Sequence, residues 1–384
     1  MTLVFERTRS LSGRKMHALV VGVGRFPSIK SSKDPNRETC ADSAKEVVSF
    51  LTRQKDHFDA PLASIGCILS DPRKAPGEDA IDSPDPSHDP RQGTNFVDSG
   101  TAKNIEQACL DWIDRCEKND VLFLYCCSHG VAGRDERAFV VTEDYNTHKN
   151  RRSAYLLNIE SLARCLPAAT KASSVWIFLD ACQEILDEIK DISGGVSGIQ
   201  PVEANIQEIV RCDVRSVSLV SSRHGRTAHG PTSGGVAYFT EALLFGLENC
   251  CVEQVDGHWF VTSLKVDNTL SRLSRALNGN NISTERLSSP DPDHKLLRLD
   301  EPRIPVAVSS LPESLLDNAN SVEIRVRSNS ASILQRAPGQ TSTWRFQLPL
   351  TERQLEVALT LGPNQHLVWQ FDLDTPSVLL RLSK

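Results

Sequence analysis

The sequence predicts an α/β fold: a mostly parallel sheet flanked by helices, then a small C-terminal all-β domain. Three observations predict it. Val121-Leu122-Phe123-Leu124-Tyr125-Cys126-Cys127-Ser128 and Val175-Trp176-Ile177-Phe178-Leu179 are continuous apolar runs bounded by turn residues, the pattern of strands buried on both faces of a parallel sheet. Amphipathic stretches with helical spacing precede and separate such runs. Beyond residue 302, apolar and polar residues alternate in short runs, the period of half-exposed antiparallel strands.

Each element follows from its residues. Met16 to Phe26, including His17-Ala18-Leu19-Val20-Val21-Gly22-Val23-Gly24, reads as a buried first strand with a glycine-rich exit. Cys40-Ala41-Asp42-Ser43-Ala44-Lys45, followed by Val47, Val48, Phe50 and Leu51, reads as an amphipathic helix. Ile65 to Leu69 is a further buried strand. Asp71 to Gly100 holds Pro72, Pro76, Pro84, Pro86 and Pro90 with Gly77 and Gly93, a density that predicts a mobile loop without regular elements. Thr101 to Cys116 is a second amphipathic helix, and Asp120 leads into the strand at Val121. Val217 to Ser222 reads as another strand, and Gly235 to Leu244 as the segment that closes the pattern. Asn278 to Asp293, with Ser288-Ser289-Pro290-Asp291-Pro292, reads as a linker. The expected division is a domain over residues 15–280 with the 70–100 loop inserted, a linker over 281–302, and a β-sandwich-like module over 303–384. That module contains Val322 to Arg327, Trp344 to Leu348, Leu355 to Leu361, Leu367 to Leu373 and Val378 to Leu382 as strands. It has no Cys and one His, His366, so its expected roles are to bind a regulatory partner, to pack on the first domain or to sense a signal.

Composition narrows the function classes. A formal net charge of −6 from 43 basic and 49 acidic side chains supplies no basic excess for nucleic-acid phosphates. No apolar run is long enough to span a bilayer, and Met1-Thr2-Leu3-Val4-Phe5-Glu6-Arg7 lacks a secretory apolar core. Neither nucleic acid nor membrane is therefore an expected partner. Eleven cysteines, odd in number and mostly inside expected elements, fit no disulfide framework, and no Cys-x-x-Cys spacing suggests zinc. A cytoplasmic location is the expectation.

The chemistry lies where the apolar runs stop. His129 follows the first, and Cys182 follows the second after Asp180-Ala181. In open α/β sheets the site lies outside the carboxyl ends of the strands, so a His at one end and a Cys at another suit a cysteine nucleophile with its base. The His lies about 50 residues before the Cys, the spacing of caspases.

Together with Ala181-Cys182, His129-Gly130, the Cys40–Ala44 helix start and the Gly235–Leu244 segment, this order resembles the caspase-like cysteine peptidase superfamily, in its metacaspase and bacterial caspase-like branch. The resemblance covers roughly residues 15 to 280; Gln183-Glu184 depart from the caspase signature. It implies a cysteine endopeptidase in which Cys182 attacks the scissile carbonyl and His129 acts as general base and acid. The backbone N–H groups of Gly130 and Cys182 form the implied oxyanion hole. Asp180 and Cys40 match positions of an acidic pocket for the residue before the cut (P1), which implies cleavage after Arg or Lys. The second pocket acid expected at Ser43 is absent there, with Asp42 one place early, and Cys127 replaces a serine before the His. The plainer reading of Asp180 is that it caps backbone N–H groups.

Lys190, Arg211 and Arg152 are the candidate self-cleavage sites, and Arg223 and His224 are candidates to line the cleft. The chemistry requires no cofactor and no metal; calcium is a candidate activator, although no EF-hand loop is present. The expected partner is a protein or peptide substrate. By analogy with bacterial caspase-like systems the setting is a defence or cell-death-like pathway. Two other classes stand beside the protease: a latent or non-catalytic scaffold of the same fold that binds a partner through the β module, and a different cysteine hydrolase, such as an amidase or deacylase.

Overall fold

A computed structural model describes residues 1–29, 36–82, 94–132, 138–182, 198–212, 214–221, 230–231, 234–278, 284–287, 294–311, 314–336, 343–350, 354–363, 365–372 and 378–383. The chain divides into two compact units, Met1–Leu244 with Ile282–Leu297, and Phe245–Asn281 with Arg298–Lys384.

The strands of the first unit are β1 (Thr2–Glu6), β2 (Met16–Val23), β3 (Leu62–Ser70), β4 (Ala80–Asp82), β5 (Thr94–Phe96), β6 (Val121–Ser128), β7 (Gly130–Ala132), β8 (Ala138–Val141), β9 (Leu156–Asn158), β10 (Ser174–Ala181) and β11 (Arg215–Val220). Its helices are α1 (Glu38–Arg53), α2 (Ala102–Asp114), α3 (Ile159–Ala169), α4 (Ile206–Val210) and α5 (Tyr238–Phe245). The central sheet runs in the order β1-β3-β2-β6-β10-β11, closed at its far edge by the short strand Glu285–Arg286. β3, β2, β6, β10 and β11 are mutually parallel, and the two edge strands are antiparallel to their neighbours. This is the mostly parallel, helix-flanked sheet that the apolar runs predict.

Every residue of β2, β3, β6 and β10 is buried, which is why these segments carry no polar alternation. One face of the sheet presents Leu19, Val21, Leu122, Leu124, Val175 and Ile177 to α2 and α3 through Ile105, Trp112, Leu162 and Leu166. Thr101 caps α2 by accepting from the Asn104 N–H, and Asn158 caps α3 by accepting from the Ser161 N–H. Fully burying one such Leu, Ile or Val side chain contributes about 1.5–3 kcal/mol, so these faces hold the strand ends rigidly in register. α1 packs against β2, β3 and β6.

Four features depart from the sequence reading. Thr2–Glu6, before residue 15, is an edge strand of the central sheet. The segment from Asp71 to Gly100 is not without regular elements: β4 pairs with β5, and Asp79 is fully buried; residues 83–93 lie outside the described residues. Glu285–Arg286, within the segment read as a linker, pairs with Leu219 and Val220 of β11. Phe245–Asn281 belong to the second compact unit, whereas the sequence reading places residues 245–280 in the first domain and 281 in the linker.

The second unit contains the hairpin Val252–Val255 and His258–Thr262, the helix Ser263–Asn278, and two further sheets. One has the order Trp344–Pro349, Arg303–Leu311, Val378–Ser383; the other is an antiparallel sheet of Ser332–Gln335, Ser321–Val326, Gln354–Gly362 and Gln365–Asp372. Alternation marks Ser321–Val326, where Val322 and Ile324 are buried between more open neighbours, but Arg303–Leu311 is buried without a break from Ile304 to Val308 and pairs in parallel with Val378–Ser383. Among the described residues no helix is long and apolar enough to cross a membrane.

Candidate active site

β6 and β10 pair in register up to Ser128 opposite Ala181. The next residue on each strand is His129 and Cys182, so the two leave adjacent strand ends at one level. Both are half-buried, whereas the strands behind them are fully buried. The His129 carbonyl accepts from the Val141 N–H at 2.8 Å, and Ser128 Oγ donates to the Val141 carbonyl at 2.7 Å. The Phe26 ring lies against the imidazole with centroids 4.7 Å apart.

Gly130 opens β7 directly after the His. A Cβ added there would collide with the backbone carbonyl oxygen of Cys182 and lie 2.9 Å from Ala181 Cβ. The two chain segments approach so closely that only glycine fits.

Nine of the eleven cysteines are buried; Cys182 and Cys212 are the two that are partly open. Burial pushes the Cys109 thiol up to about 12, with Glu106 adding to it. Burial pushes Cys116 up to about 12 as well, helped by Asp120, and raises Cys67 and Cys126. Cys127 is raised first by its hydrogen bond with Cys40 and then by burial. Thiols held protonated in this way are poor nucleophiles.

Asp180 is 3 % exposed. Thr240 Oγ1 donates to its Oδ2 at 2.6 Å, and Tyr125 Oη lies 2.5 Å from Thr240 Oγ1. Burial holds the Asp180 carboxyl above its ordinary value, against the opposing effect of hydrogen bonds from Thr240, side chain and backbone, and from Ser221. The backbone N–H is that of Thr240, in the first turn of α5; the residues that follow Cys182, where the plainer reading expects the capping, lie outside the described residues. The structure brings Cys40, Cys127, Tyr125 and Asp180 into one electrostatic neighbourhood.

Asp42 is committed elsewhere. Its carboxylate accepts from Arg73 at 2.6 Å and from the Gly235 N–H at 2.9 Å. Arg73 also binds Asp71 at 2.8 Å. Ser43, at the position where an acid is expected, accepts from the Ala237 N–H at 3.0 Å. The first turns of α1 thus hold the segment leading into α5.

Sequence reasoning did not single out Arg25, which is 7 % exposed. It donates to Glu143 and Asp79, each at 2.7 Å, and to the carbonyls of Asp71 and Lys74. Burial opposes its charge, but the bonds to Asp79 and Glu143 outweigh that and hold the guanidinium above its ordinary value. Ser70 Oγ completes the group by donating to Glu143 at 2.5 Å. The available signal was an Arg at the exit of a fully apolar strand, a place where a charge survives only with partners.

Of the candidate self-cleavage residues, Arg152 donates from Nε to Asn146 Oδ1 at 2.9 Å, and Arg211 closes α4 at an exposed position. Lys190 lies outside the described residues, as do Arg223 and His224. Among the described residues no group of three or more His, Cys, Asp or Glu side chains is placed to hold a metal ion.

No family model matches the chain. It is similar to an uncharacterized protein, y4kE, of Sinorhizobium fredii, with 26% identity over 212 residues that cover 53% of this chain and 54% of that protein. The chain thus spans about half the length of this curated relative. Two solved structures are similar at 12% identity. Caspase-1 from Spodoptera frugiperda has a TM-score of 0.41, over 74% of this chain and 89% of that one. Protein GSU0716 from Geobacter sulfurreducens has a TM-score of 0.42, over 72% of this chain and 95% of that one.

Proposed function

We propose that this chain is a cysteine endopeptidase that cuts proteins after Arg or Lys through a Cys182–His129 dyad. The observation that carries the reading is the β6–β10 register, which sets one partly open Cys beside one partly open His at the carboxyl end of a buried sheet. Cys182 gives its proton to His129 and attacks the scissile carbonyl as a thiolate. His129 returns the proton to the leaving amine, and water, deprotonated by the same imidazole, then releases the acyl group. The N–H groups of Gly130 and Cys182 receive the developing oxyanion, at about 3 kcal/mol per donor.

The preference for a basic residue rests on Asp180. Its carboxyl is held by hydroxyls and a backbone N–H while burial disfavours its charge. An arriving guanidinium or ammonium offsets that penalty with a charge-assisted bond. Asp42 serves the pocket indirectly, by fixing the Gly235 segment.

Fluorogenic peptides with Arg, Lys or Asp at P1, with and without calcium, test the reading against Cys182→Ala and His129→Ala. Turnover of the basic peptides, lost in both variants, is the expected result. Activity confined to Asp removes Asp180 as the specificity residue. Turnover that persists in Cys182→Ala removes the dyad.

A further inference from the structure

We propose that Phe26 is a positioning residue for His129, an inference that rests on the dyad reading above. The two rings are 4.7 Å apart between centroids and inclined at 50°. Phe26 is 1 % exposed, so its ring has no solvent-side alternative and forms a fixed wall for the half-buried imidazole. An aromatic face at this distance also favours the imidazolium that forms when Cys182 gives up its proton.

The wall is itself held from both sides. The Phe26 N–H donates to Asn36 Oδ1 at 2.9 Å. Its neighbour Arg25 is tied to Glu143 and Asp79 and to the carbonyls of Asp71 and Lys74. Glu143 lies two residues beyond Val141, whose N–H binds the His129 carbonyl. The exit of β2 and the exit of β8 are therefore locked together, one presenting the ring and the other holding the His129 backbone. A glycine-rich strand exit followed by Arg25-Phe26 acquires a purpose that strand formation alone does not require.

The test compares Phe26→Leu, which keeps an apolar side chain and removes the aromatic face, with Phe26→Tyr, which keeps the ring. Three readouts are taken on the full chain: kcat and KM on a basic peptide, the rate of Cys182 alkylation by iodoacetamide without substrate, and the thermal midpoint. Phe26→Leu is expected to lower kcat and the alkylation rate each about tenfold, as misplacement of a proton-transfer group does, with KM within about twofold. Phe26→Tyr is expected to retain most of both rates. Should Phe26→Leu fail to fold, Phe26→Met carries the same expectation. Kinetics of Phe26→Leu within about twofold of wild type, or equal losses in the Leu and Tyr variants at equal thermal midpoints, overturn the proposal. A wild-type Cys182 that alkylates no faster in the presence of His129 than in His129→Ala overturns the dyad reading, and this inference with it.

Discussion

Ser64, His17 and Asp120 bring together the side chains of a serine-hydrolase triad: Ser64 Oγ is 2.8 Å from His17 Nδ1, and His17 Nε2 is 3.4 Å from Asp120 Oδ2. All three are 1 % exposed and sit at the amino ends of β2, β3 and β6, where no substrate reaches them. His129 and Cys182 differ from them in access. Burial lowers the pKa of His17, although Asp120 opposes it. Below its ordinary 6.5 the unfolded chain takes up a proton that the folded chain refuses, so His17 makes stability fall as pH drops from 7 towards 5. Denaturant titrations at pH 7 and pH 5 check this: the difference is expected to shrink in His17→Asn. Asp180 has the opposite sense. Its raised pKa favours the folded state at low pH and costs stability as pH rises through the folded value. Asp180→Asn is therefore expected to keep or raise the thermal midpoint at pH 7 while losing turnover of Arg and Lys peptides. A parallel loss of folding and activity would make Asp180 structural.

At the scale of elements, the site is a matter of register. Because β6 and β10 end together, a one-residue slip would turn either His129 or Cys182 to the other face of the sheet. Gly130→Ala tests the closeness of these ends: the added methyl meets the Cys182 carbonyl, and the expected result is at least about 1–3 kcal/mol of lost stability with activity lost beyond what the stability change explains. Unchanged unfolding in urea would show that the two segments can separate. The buried strands were legible in the sequence because burial on both faces leaves an uninterrupted apolar run. β4, β5, β7, β8 and β9 were not, since each is only three or four residues long. Pro167 inside the last turn of α3 obscures that helix. The hairpin around Asp256-Gly257, with φ of 51° and 80°, carried a legible turn signal, but the adjacent polar Glu253 and Gln254 break the alternation that identifies its first strand.

For the whole molecule, the placement of His129 and Cys182 at adjacent strand ends was readable because each lies one residue beyond its own strand, whereas the groups around them come from far along the chain. Thr240 reaches Asp180 from 60 residues away, and Arg73 reaches Asp42 from 31; no local pattern announces such pairings. The same long-range closure affects where the chain can be cut. A chain ended at residue 280, the boundary suggested by sequence, discards the strand Glu285–Arg286 and the buried Trp176–His294 hydrogen bond. Its thermal midpoint is expected to fall several degrees below that of the full chain, as the loss of roughly 1–2 kcal/mol does; an unchanged midpoint would show that residues 282–297 are dispensable to the first unit. The central claim is that one thiol among eleven is activated by one imidazole. Limiting iodoacetamide on the native full chain, with labelled cysteines mapped by peptide mass, tests it most directly. Cys182 is expected to label first, ahead of the partly open Cys212, at a rate that falls about tenfold or more in His129→Ala. Equal labelling of Cys182 and Cys212, or a Cys182 rate indifferent to His129, would contradict the account.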